Sequence, residues 1–132
     1  RRSAIGLYPD DIKKLPIKKV SADIQKILAN LSDYMIFSKI HKLDVCAYYF
    51  NQIIDCCILE LYFEDDIKSS NTDILKFIQK TIKPITDLNE NAKLEIINKT
   101  YDKWNDPDSE VSNRIKLFTI RANDAVKSIM QV

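Results

Sequence analysis

A single glycine, Gly6, in 132 residues is the tightest constraint this chain carries. Two-residue hairpins and phosphate-cradling loops both need backbone at positive φ, which glycine supplies without steric cost. All-β sandwiches and dinucleotide-binding folds are therefore poor candidates. With 45% hydrophobic residues the chain is too apolar to stay disordered. One domain of this length can bury roughly two-thirds of its unfolded surface. No run of about 18 uncharged apolar residues occurs, so no membrane span is expected. The expected fold class is all-α: a compact bundle of about five to six helices with an extended N-terminal segment. Arg1 stands where an initiator Met would be, and no signal-like apolar segment follows. The chain is expected to be a piece of a longer protein.

Charge and cysteines narrow the function classes. Twenty Lys and Arg oppose nineteen Asp and Glu, a net charge of +1. The chain as a whole carries no polyanion-binding signal. Residues 1–20 are different: Arg1, Arg2, Lys13, Lys14, Lys18 and Lys19 outweigh Asp10 and Asp11. A short basic tail solubilises a segment, or it contacts phosphates beside a DNA-binding domain. Cys46, Cys56 and Cys57 are odd in number and lie in one apolar run. They read as small core residues of a reduced, cytoplasmic protein, not as a disulfide framework. With His41 alone and no Cys-x-x-Cys, no metal is expected.

Pro9 and Pro16 break helices, and the stretch Leu15-Pro16-Ile17 reads as extended, so 1–20 is expected to be a connecting segment. Ser21 offers an N-cap to a helix over about 22–41, with Ile24, Ile27, Leu28, Leu31, Tyr34 and Met35 on its apolar face. Asp44 is a second plausible cap. The next helix, about 45–63, is apolar nearly all round, with Asn51, Gln52, Asp55 and Glu60 as a narrow polar stripe. Such a helix belongs at the centre of a core. Asn71 or Thr72 is expected to cap a helix over about 72–82, and Asn89 one over about 90–104. Asp106-Pro107 reads as a cap and first turn for about 107–119, followed by a short helix over about 122–131. The helical domain is thus 21–132.

Groups able to do chemistry are sparse. His41 reads as a residue closing a helix end, and Cys56 and Cys57 as packing. Glu64, Asp65 and Asp66 follow the central helix, where a helix C-terminus disfavours negative charge. A solvated turn explains them more simply than a site. Pro9-Asp10-Asp11 resembles the start of a nuclease motif, but no strand with Glu-x-Lys follows. Tyr48, Tyr49, Tyr62 and Phe63 read as core rather than base-stacking residues. Trp104 reads as a core lid, with partner contact as the alternative.

Three phrases together resemble the C-terminal region of adenine-specific DNA methyltransferases and type II restriction–modification enzymes. The first is Ile12-Lys13-Lys14-Leu15-Pro16-Ile17-Lys18-Lys19-Val20-Ser21 with Gln25, similar to the "I-x-x-L-P-I-P-x-I-S…Q" that closes their target-recognition domain. The second is Phe50-Asn51-Gln52-Ile53-Ile54-Asp55 with Glu60-Leu61-Tyr62-Phe63-Glu64-Asp65-Asp66-Ile67. The third is Asp106-Pro107-Asp108-Ser109-Glu110 with Asn113-Arg114-Ile115. Lys18 departs from the pattern, replacing its second proline.

The resemblance implies a parent enzyme that methylates adenine N6 with S-adenosylmethionine and is sometimes fused to an endonuclease. The family's Asn-Pro-Pro-Tyr motif and glycine-containing cofactor loop are not in these residues. No catalytic, cofactor-binding or metal residue is carried over. The expected role is a non-catalytic helical domain whose partners are the rest of the parent enzyme, DNA through that parent, and in some arrangements a second copy. Lys13, Lys14, Lys18 and Lys19 are the candidates for DNA-backbone contact, which needs only cations near phosphate. The rival readings are a helical interaction or dimerisation module without a nucleic-acid role, and a small enzyme built on the acidic cluster at Asp65.

Overall fold

A computed structural model describes residues 20–130, with side chains over 20–120. The expected connecting segment lies outside the described residues, apart from Val20. The described chain is all-α: α1 (Ala22–Ile40), α2 (Asp44–Tyr62), α3 (Glu64–Ser69), α4 (Leu75–Thr81), α5 (Glu90–Asn105) and α6 (Glu110–Met130). None of these helices is long and apolar enough to cross a membrane.

α1 begins where the Ser21 hydroxyl accepts from the Ile24 N–H, with Asp23 in the dipole-favoured first turn. It ends in a reversal through Lys42, whose φ is 59°, while the Leu43 N–H reaches back to the Ser38 carbonyl at 2.7 Å. Asn71 makes the other left-handed corner, at φ 58°. The described chain therefore turns both of its left-handed corners without glycine, and Asn is among the residues that tolerate this best.

α2 is the central element and packs against α1, α3, α5 and α6. Phe50 is its hub: its ring meets Tyr34 edge-on at 5.4 Å and Trp104 at 6.1 Å. Leu31, Ile53, Leu59, Ile78 and Ile97 complete the fully buried centre. Only half of the polar stripe expected on α2 is withdrawn from water. Asn51 and Gln52 are half-buried, while Asp55 and Glu60 are buried. Asp44 supplies no side-chain cap; it occupies the first turn behind Leu43.

Three boundaries differ from expectation, each for a local reason. The acidic trio follows the C-terminal end of α2 at Tyr62, as expected, but it also opens a further helix. Glu64, Asp65 and Asp66 form the first turn of α3, where the helix dipole favours them. Neither Asn71 nor Thr72 caps α4. Asn71 is spent on the left-handed corner, and the Thr72 hydroxyl donates to the Ile67 carbonyl. The third is the C-terminal stretch, a single helix and not two, since no Gly or Pro interrupts 110–130. Asp106 is not its cap: its carboxylate accepts from the Asp108 N–H in a turn that closes α5. Ser109 takes the role, its hydroxyl accepting from the Ser112 N–H and donating to the Trp104 carbonyl. Asn89 caps α5 as expected, accepting from the Ala92 N–H at 2.8 Å.

Candidate functional site

Lys13, Lys14, Lys18 and Lys19 lie outside the described residues. Among those described, two places are candidate sites. One is a polar clasp at the start of α4; the other is a groove beside α2.

The clasp exists because α4 starts without a cap of its own. Its first N–H groups need acceptors. Glu60, projecting from α2, provides them: one carboxylate oxygen accepts from Ile74 at 2.7 Å and Leu75 at 3.1 Å. One residue upstream, Asp73 is held from α6. The Arg114 guanidinium donates to its carboxylate at 2.8 Å and to its carbonyl at 3.1 Å. Arg114 also lies over the Phe77 ring, 4.6 Å from its centroid, and reaches Glu110 at 3.4 Å. α2, α4 and α6 are thereby tied at one turn.

Burial pushes the Glu60 carboxyl above its ordinary 4.5, and nearby Asp73 adds to this; the two N–H bonds and Lys68 act the other way. The sign follows from linkage. The folded state holds this proton more tightly than the unfolded chain. The corresponding stability is present below pH 4.5 and is lost as pH rises through the raised value. Glu60→Gln keeps an oxygen for both N–H groups and removes the charge. Urea titrations should show stability falling less steeply with pH just above 4.5 in this variant than in the wild type. Parallel pH curves would refute the assignment.

The groove, about 260 Å³, runs between α2, α5 and α6 and is lined by Val45, Tyr48, Gln52, Tyr101, Asn105 and Lys116 among others. Tyr49 forms its floor, its hydroxyl donating to the Trp104 carbonyl at 3.0 Å. No carboxylate, histidine or cysteine lines it. It offers apolar, phenol, amide, hydroxyl and ammonium surface.

The other candidate residues scatter. Glu64, Asp65 and Asp66 are exposed on α3, and Glu64 pairs with Lys68 at 3.0 Å. No group of three or more metal-capable side chains forms among the described residues. All three cysteines are buried. Burial, reinforced by Asp55, pushes the Cys56 thiol up, and burial raises Cys57 well above its ordinary value. Neither makes a ready thiolate. The His41 ring stacks on Phe37 at 4.0 Å and sits 3.1 Å from Glu90, joining the end of α1 to the start of α5. Trp104 is in the core, 1% exposed. Tyr49 is buried, and Tyr62 and Phe63 pack partly buried on the core. Tyr48 departs from the expected core position: it is 52% exposed at the groove.

Comparison of the chain with protein-family models, with curated proteins and with solved structures finds no match.

Proposed function

We propose that this chain is a non-catalytic helical domain of a DNA-modification enzyme, placed after the target-recognition domain of a parent that methylates adenine N6 with S-adenosylmethionine. The supporting observation is where two of the three family-like phrases meet. Glu60, in the second phrase, accepts from the N–H groups of residues 74 and 75; Arg114, in the third, holds Asp73. Signature residues about fifty positions apart are spent on bracing one turn. Such bracing supports a structural, non-catalytic role for these residues. In this reading methyl transfer happens elsewhere in the parent, on a base flipped out of the stack.

The test is charge reversal of Lys13, Lys14, Lys18 and Lys19 in the full-length protein. Each lost phosphate contact removes about 0.9 from the slope of log affinity against log salt, so the slope should fall by about 3–4. Unchanged affinity and slope would sink the DNA contact, and methyl transfer by the isolated 132-residue chain would sink the non-catalytic role.

A second reading, a dimerisation or docking module, draws support from the groove and from exposed Ile36, Ile40, Val45 and Ile120. Sedimentation over a range of concentrations reads it directly.

A further inference from the structure

The outward side of α4 carries exposed cations. Lys76, Gln79 and Lys80 share one helical face, and Lys83 follows just past the helix end; all four are exposed. Leu75 and Ile78, on the opposite side, are buried. No acidic residue occurs from Ile74 to Thr86. Lys76 comes within 3.5 Å of Asp73, but Arg114 already holds that carboxylate at 2.8 Å. Lys80 and Lys83 form no ion pair among the described residues.

These cations have a firm base. Half-buried Phe77 gathers Arg114 at 4.6 Å, Lys76 at 5.2 Å and Lys80 at 5.9 Å around its ring. Lys83 is set by its backbone: its carbonyl accepts from the Tyr34 hydroxyl at 2.6 Å, and its N–H donates to the same oxygen at 3.2 Å. The cationic heads stay in water while their backbone positions are fixed from beneath.

We infer that Lys76, Lys80 and Lys83 form a contact surface for the phosphate backbone of duplex DNA. Backbone contact needs cations near phosphates and no pocket. The groove lies elsewhere, between α2, α5 and α6. A protein partner would want apolar or aromatic anchors on this face, and an anionic membrane would want apolar side chains to insert. Among the described residues, the exposed large apolar side chains are Ile36, Ile40, Val45, Tyr48, Leu88 and Ile120, none of them on α4. The inference rests on the reading that this domain works over DNA, and it adds which of its faces meets the duplex.

The experiment is fluorescence anisotropy with the full 132-residue chain and a labelled duplex of about 20 base pairs, at about 50–200 mM salt. The wild type binds weakly, whatever the base sequence, and loses affinity steeply with salt. The triple variant Lys76→Ala, Lys80→Ala, Lys83→Ala binds about ten-fold more weakly at the low-salt end, with a slope lower by about 2–3. These lysines are exposed, so circular dichroism of the variant matches the wild type. No wild-type binding at low salt overturns the inference. So does a triple variant with wild-type affinity and slope, or polyglutamate competing as well as DNA at equal charge. If alanines at Lys13, Lys14, Lys18 and Lys19 weaken binding and the α4 variant does not, this surface fails while the proposed function stands. If the α4 variant weakens binding but the full-length protein shows no adenine methylation, the proposed function fails and the surface stands.

Discussion

Trp104→Ala should destabilise the fold by about 3–5 kcal/mol, the usual cost of truncating a fully buried Trp. Its indole meets Phe50 edge-on at 6.1 Å and is 1% exposed. Its backbone matters as much, since the Trp104 carbonyl accepts from both the Tyr49 and Ser109 hydroxyls. That backbone survives the substitution, so the loss reports the side chain. The indole Nε1 has no hydrogen-bond partner among the described residues. Trp104→Phe therefore removes a buried unpaired donor along with some volume, and those two changes oppose each other. Its cost should be well below that of alanine, on the order of 1 kcal/mol. Urea denaturation followed by circular dichroism measures both. Near-equal losses for Ala and Phe would mean that the indole N–H is satisfied or that the ring fills no core volume.

The contrast between Trp104 and Glu60 shows what kind of information a one-dimensional pattern holds. Trp104 falls on an apolar periodicity, which favours the core over partner contact, and the structure places it in the core. The same holds for α1, α2 and α5, whose extents follow from apolar spacing and from the local caps Ser21 and Asn89. The cap of α4 is not local. It comes from Glu60, fourteen positions before Ile74, and only the meeting of α2 with the 71–75 turn reveals it. Acids such as Asp55 and Glu60 in a nearly all-apolar helix are the available signal, but spacing alone does not separate a solvated stripe from a buried acceptor. The short α3 escapes detection for another reason: it holds a single buried residue, Ile67, so it has no period to read. The break expected near residue 120 puts a boundary where no helix-breaking residue stands.

Arg114→Leu should cost about 3 kcal/mol, near the lower end of what breaking a buried ion pair costs. The pair is well sheltered: 15% of the Arg114 side chain and 11% of that of Asp73 remain exposed. Without the guanidinium, the Asp73 carboxylate keeps, among the described residues, only Lys76, at 3.5 Å from an exposed ammonium, and its carbonyl loses a donor. Arg114→Lys should fall between leucine and wild type. A lysine restores the charge but cannot reach both Asp73 oxygens while lying flat on Phe77. Asp73→Asn combined with Arg114→Leu should cost less than the two single losses added, since the second change removes the charge stranded by the first. The damage should also be local. Hydrogen exchange in α4 should quicken more than in the paired helices α1 and α2, to which Arg114 makes no hydrogen bond or ion pair among the described residues. A loss under about 1 kcal/mol, or single losses that simply add, would show that Arg114 does not hold this turn and that the clasp depends on Glu60 alone.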